Sequence, residues 1–346
     1  MGNLDAFLVM LFLVVAMVCY VLFGGADFGA GALELFKGAT LRREQQALIS
    51  RAISPIWEAN HIWLIIVIVI LFMGFPPVYA LLSIHLHIPL VMLLVAICVR
   101  GCALTFRHYD PEPGTWLYST LLIGGSILAP LCFGLIIGAI TAGRIDPQAS
   151  DAHALYIAPW LHPFGLLLGL LCLVACVFLA SAYLVGETDD PALQACFVRR
   201  AQWSNLLLVI SGGLVLLSAQ QHGVFTLASF LSRPQSGGCV LVATLLLPLV
   251  WSALRQRMVW RIRVLAAGLV SLVIIGWLFT MFPFLTRVRG GGMSLSDALA
   301  PPQTVHQLAL ALCLGLCLVI PALLYLLRLF KGRQPSVDAS HGPQLG

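Results

Sequence analysis

Apolar residues recur along the chain in runs of roughly twenty or more, separated by short polar stretches. The runs cover residues 5–33, 54–75, 79–103, 115–142, 159–185, 203–225, 237–255, 262–284 and 304–330. At a rise of ~1.5 Å per residue, each is long enough for a helix to cross a ~30 Å hydrocarbon layer. The alternating ten-residue segments of a membrane β-barrel do not occur. The pattern therefore predicts an all-α polytopic membrane protein of about nine transmembrane helices. Two four-helix bundles with one peripheral helix would accommodate that number. Pro76-Pro77 and Pro301-Pro302 punctuate the runs that they border. A single transmembrane domain is expected over 1–331, followed by a disordered polar tail over 332–346.

Composition agrees with the pattern. Of 346 residues, 60% are hydrophobic and only 10% charged, against roughly 25% charged in a soluble domain. The net charge of +5 is no nucleic-acid signal, because the basic residues sit between apolar runs instead of forming a stripe. The first run lacks a basic lead-in and is too long for a cleaved leader, so it is read as a retained span. Fifteen of the nineteen lysines and arginines fall on one side of a nine-span topology. By the positive-inside rule this predicts an outer N-terminus and a cytoplasmic C-terminus.

Polar residues inside the runs carry the candidate chemistry. Asp27 lies in "GGADFGAG", and Glu58, Asn60 and His61 lie in "WEANHIW" between Trp57 and Trp63. Arg100 and Arg107 lie near the end of the third run. In the predicted topology all of these reach one membrane face. Charged groups inside a membrane are paired or functional. Asp27, Glu58 and His61 could pass protons, with Arg100 and Arg107 as charge partners. Gly25, Gly29 and Gly31 would let helices approach closely. The competing reading is a structural set of ion pairs with interfacial aromatics.

Other titratable groups point less clearly. His85 and His87, two apart on one predicted helix, would diverge by roughly 200° and so would not share a metal. Either could serve as a haem ligand, although no spacing selects a second one among His153, His162 and His222. Cys98/Cys102, Cys172/Cys176 and Cys313/Cys317 read as small packing residues, and no metal site is expected. Phosphate-loop, nucleophile-elbow and zinc-protease motifs are absent.

Taken in order, the motifs resemble those of subunit II of the cytochrome bd-type quinol oxidases. "GADFGAG" is similar to a Gly-Phe-Asp-x-Gly-x-Gly signature and "PIWEANHIWLI" to a Trp-Asp/Glu-x-Asn-x-x-Trp signature. "RGCALTFR", "HPFGLLLG", "SAYL", "FPF" and "SLSDALAPPQT" follow in the family's order. Gly24, Ala26 and Ala59 depart from it, standing where many members have Asp, Phe and Gly. The resemblance implies a haem-free subunit of a quinol:oxygen terminal oxidase in the bacterial cytoplasmic (inner) membrane, with no catalytic residue of its own. Its partner, subunit I, would carry two b-type haems and one d-type haem and oxidise ubiquinol. The resemblance also admits a structural quinone and small single-span subunits. Asp27, Glu58 and His61 would then belong to a cytoplasmic proton-uptake route, while Trp57, Asn60 and Trp63 would be signature and packing residues. The alternatives are a proton-coupled secondary transporter and a self-sufficient b-type haem membrane protein.

Overall fold

The computed structural model describes residues 2–36, 42–53, 57–109, 116–225, 228, 230 and 233–332. The expected tail beyond Gly332, and the 54–56 lead-in to the second span, lie outside them. The first span is Leu4–Phe36. It comprises α1 (Gly2–Cys19), one π-helical turn (Tyr20–Gly24), α2 (Gly25–Leu33) and a 3-10 turn (Glu34–Phe36). Then come α3 (Arg42–Ile53), α4 (Trp57–Gly74), α5 (Pro76–His85), α6 (His87–Tyr109) and α7 (Trp116–Ala142). The second half contains α8 (Ala152–Tyr156), α9 (Pro163–Leu184), α10 (Pro191–Gln221), α11 (Pro234–Gln256) and α12 (Val259–Met281). It closes with strands β1 (Phe284–Val288) and β2 (Gly291–Ser294), then α13 (Leu295–Ala298) and α14 (Pro302–Gly332).

Among the described residues, eight helices have the length and apolarity to cross a membrane. The bent pair Glu58–Gly74 and Pro76–His85 brings the number to nine if counted as one span. Four sequence expectations are corrected here. The third span does not begin at residue 79, because α4 and α5 meet at 114° and Leu86 separates α5 from α6. His85 and His87 thus sit on different helices, and both rings pack against Tyr156. The eighth span ends at Met281 instead of residue 284, and the sixth begins at Pro191, earlier than residue 203. A short hairpin accompanies the helices of this all-α architecture. Phe284 and Ser294 open an antiparallel hairpin that closes at Val288 and Gly291, turning through Gly290 at φ +84°. Val288 also bridges to Ile145 in the loop after α7.

The helices form two groups. The first span, α4, α6 and α7 share one buried cluster. Helices α9 to α12 share another, together with α2. Helix α14 packs mainly against α1 and α4, in a third buried cluster that also takes in α5. In lipid there is little hydrophobic drive between apolar helices, so close backbone approach does the holding. The contact between the groups shows this. A Cβ at Gly134 would overlap the Gly169 backbone, and one at Gly138 would stand 2.6 Å from Gly165 Cα. The "HPFGLLLG" motif is thus the α9 half of an antiparallel glycine seam.

His162 caps that seam helix, with Nδ1 accepting from the Gly165 N–H at 3.1 Å. Only a neutral ring can accept there. Burial, reinforced by the Arg144 charge, pushes the imidazole down to about 4. An unfolded histidine takes up its proton near ~6.5. Between these values the unfolded chain binds more protons, so this stabilisation is complete above about pH 6.5 and is lost as pH falls toward 4. The midpoint of thermal unfolding is expected to drop across that window. His162→Asn, a cap that does not titrate there, should flatten the slope; equal slopes in both proteins would contradict this role.

Candidate functional site

The site begins with an irregularity in the first span. A π turn carries i→i+5 hydrogen bonds and re-phases the helix that follows it. The wide turn Tyr20–Gly24 precedes Asp27, and Asn60 Nδ2 of α4 donates to the Phe23 carbonyl within it at 3.4 Å. Beyond the turn, α2 is buried along almost its whole length between α7 and α9. Glycine permits this. A Cβ at Gly29 would overlap the Cys176 carbonyl, and one at Gly31 would overlap Ser126 Oγ. Gly25 faces Cys176 Sγ.

Arg100, on α6, is 0% exposed and is the largest fully buried side chain among the described residues. Its Nη2 donates to Asp27 Oδ1 at 2.5 Å and to the Asp27 carbonyl at 3.4 Å. Its Nε donates to Ser126 Oγ of α7 at 3.1 Å. The guanidinium carbon lies 4.9 Å from the Phe28 ring centroid. α7 comes close enough because residue 125 is glycine: a Cβ there would stand 2.6 Å from the Ala96 carbonyl and 2.9 Å from Arg100 Cβ. Asn60 and His61 of α4 lie within electrostatic range of the Asp27 carboxylate. Around them close Tyr20, Phe28, His61 and Phe133, with ring centroids 5.3–6.5 Å apart.

A second pair repeats the first. Arg107 Nη1 donates to Glu34 Oε1 at 2.9 Å, with the Glu34 side chain 0% and the Arg107 side chain 17% exposed. Glu34 follows Asp27 by seven residues, and Arg107 follows Arg100 by seven. Seven residues are two helical turns, ~10 Å along the axis. Two segments running in the same direction therefore present two carboxylate–guanidinium rungs. The inner rung is sealed; the outer one touches solvent through its arginine.

The sequence predicts Arg100 and Arg107 as charge partners that offset Asp27 and Glu58. The structure pairs Asp27 with Arg100, and Glu34, not Glu58, with Arg107. Arg100 is the group in contact with the Asp27 carboxylate, and His61 and Asn60 lie within its electrostatic range. Glu58 lies exposed in the first turn of α4. The buried stripe of α4 runs through Asn60, Trp63 and Ile70, with His61 half-buried beside it. The helix is apolar nearly all round, so periodicity did not mark that face. The side chain of Trp57 lies outside the described residues. Glu34, Ser126 and Tyr20 are not among the residues that the sequence singles out; the structure adds them to the site. Among the described residues, no three His, Cys, Asp or Glu side chains gather as a metal site.

A family model described as "Cytochrome bd terminal oxidase subunit II" matches residues 6–330. A curated relative, "Cytochrome bd ubiquinol oxidase subunit 2" of Bacillus subtilis (strain 168), is 26% identical over 217 residues, 61% of this chain and 62% of that protein. "Cytochrome bd-I ubiquinol oxidase subunit 2" of Escherichia coli (strain K12) is 24% identical over 180 residues, 50% of this chain and 46% of that protein. The chain thus spans less than two thirds of the length of these relatives. A chain from the solved structure "The structure of bd oxidase from Geobacillus thermodenitrificans" superposes with a TM-score of 0.74 at 18% identity. The match covers 95% of this chain and 99% of that one, and at that identity the likeness is one of fold.

Proposed function

The chain belongs to the cytochrome bd terminal oxidase subunit II family, and from that premise we propose that it is the haem-free subunit of a quinol:oxygen oxidoreductase in the bacterial cytoplasmic membrane. In this reading it stabilises a haem-bearing subunit I and leads protons inward from the cytoplasmic face. The b- and d-type haems and the ubiquinol site belong to that partner, and the electron chemistry is theirs. This chain contributes fixed charge and a proton path. Because oxygen would be reduced with electrons from the outer side and protons from the cytoplasm, charge is separated without a pump.

The observation that supports this most directly is the two-rung ladder. A sealed Asp27–Arg100 pair lies two turns deeper than a Glu34–Arg107 pair that meets solvent. A purely structural anchor needs one pair. Two in register, with His61 and Asn60 beside the inner carboxylate and Glu58 exposed at the start of α4, form a graded series from water to interior. Glu58 and the outer rung would gather protons, and Asp27 with His61 would receive them.

Asp27→Asn combined with Arg100→Gln removes both inner charges while keeping much of their volume. In the assembled oxidase this variant should keep its visible haem spectrum and lose oxygen consumption by roughly tenfold or more, as removing an acid–base group does. Glu58→Gln should slow turnover more mildly. Normal turnover in the inner double variant, with the spectrum intact, would end the proton-route reading. A stoichiometric Soret band from this chain expressed alone would end the haem-free reading.

A further inference from the structure

Three polar atoms at the inner rung stand out. Tyr20 Oη, Asp27 Oδ2 and Arg100 Nη1 are each sealed from solvent without a well-formed hydrogen-bond partner among the described residues. Their side chains come from the π turn, from α2 and from α6, and belong to residues 5%, 6% and 0% exposed. Arg100 contacts Asp27, and Tyr20 and Arg100 pack on the same Phe28 ring, at 6.5 and 4.9 Å from its centroid. Leaving a buried polar atom unpartnered forfeits its bond to water with nothing in return. Three in one place call for a common partner.

We propose that Tyr20, Asp27 and Arg100 enclose a binding site for one internal water molecule, and that Tyr20 is the residue that positions it. The donor and acceptor types decide the occupant. Arg100 Nη1 can only donate, Asp27 Oδ2 as a carboxylate oxygen can only accept, and a tyrosine hydroxyl does either. A water molecule accepts from the first, donates to the second and makes a third bond with the hydroxyl. That is the usual complement of about three bonds for a buried water. A metal cation cannot accept from Arg100 and would be repelled by it. An anion would be repelled by Asp27.

The local fold explains why Tyr20 is the positioning group. It opens the π turn, and its ring lies over Gly24, where a Cβ would stand 3.1 Å from the ring. Phe133 and Phe28 hold that ring edge-on at centroid distances of 5.3 and 6.5 Å. A hydroxyl on so constrained a ring has one place to point. The water site itself does not depend on proton conduction. Its consequence does rest on the reading above: Tyr20 would tie the Asp27 oxygen not held by Arg100 into the proton path.

The test is a cryo-electron-microscopy map of the assembled oxidase at a resolution that shows water, for the parent and for Tyr20→Phe. The parent should show one density peak within hydrogen-bond reach of all three atoms. Tyr20→Phe keeps the ring and its packing; it should lose the peak while the Asp27–Arg100 pair stays in place. Its oxygen consumption should fall several-fold at unchanged haem content. No peak in the parent overturns the site, and a peak that persists unchanged in Tyr20→Phe overturns the positioning role. Should the variant not assemble, the parent map still decides the site. The two readings separate cleanly. A parent peak with normal turnover in the Asp27→Asn/Arg100→Gln variant removes the proton route and leaves the water site, whereas an absent peak removes the site and leaves the route to its own test.

Discussion

Asp27→Leu is expected to destabilise the protein by about 3–5 kcal/mol, the usual result of removing one partner from a buried ion pair. The reason is the state of what remains. Arg100 is wholly enclosed, and its guanidinium cannot shed its proton. The hydrogen-bond partners left to it, the Ser126 hydroxyl and the residue-27 backbone carbonyl, are neutral. Arg100→Met should be milder, because a lone carboxyl can neutralise itself by taking up a proton. The double change Asp27→Leu/Arg100→Met removes both charges and should recover much of the loss, since apolar replacement of a whole buried pair is often neutral or better. Intact complex surviving a graded heat challenge, read by haem-stained native gel, gives the order: parent and double variant highest, Arg100→Met lower, Asp27→Leu lowest. Single variants as robust as the parent would show that the pair is not sealed.

Gly29→Ala carries the second large effect. A methyl group there overlaps the Cys176 carbonyl, and backbone cannot rotate away as a side chain can. Relief requires α2 and α9 to separate along a contact that buries most of α2. Overpacking of this kind costs about 1–3 kcal/mol and sometimes more. The displacement would also move Asp27, half a turn away, relative to Arg100. Gly124→Ala is the control, because nothing lies within 4 Å of a Cβ there and alanine favours the helix by about 1 kcal/mol. Thermal inactivation of the assembled oxidase should come earlier in Gly29→Ala, with lower oxygen consumption, and no earlier than the parent in Gly124→Ala. Equal inactivation of the two variants would refute the steric account.

The site was legible in part. Asp27 and Arg100 could be singled out because charge inside an apolar run is costly enough to need a reason. Glu34 could not, because it follows "GAL" at the end of a span, where a carboxylate has water within reach and raises no question. Only packing showed it sealed against Arg107. Glu58 raised the opposite difficulty. It reads as prominent beside Asn60 and His61, yet α4 turns Asn60 and Trp63 inward and leaves Glu58 exposed. A helix that is apolar all round has no polar face to reveal that rotation. Pro76-Pro77 marked the turn after α4, but the break at Leu86 was hidden, since a continuous apolar run does not say where the axis turns.

The sequence by itself determined the class of the protein. Long apolar runs must satisfy their backbone internally and so become helices, and their number and punctuation follow from bilayer thickness. It also determined the family, through motifs whose order survives along the chain. Tertiary structure alone decided the partners: which carboxylate meets which arginine, where the π turn re-phases the first span, and how glycines let three helices close over one guanidinium. Those outcomes depend on rotation and separation between helices. Both are set by contacts between residues distant in the chain, and no local pattern encodes them.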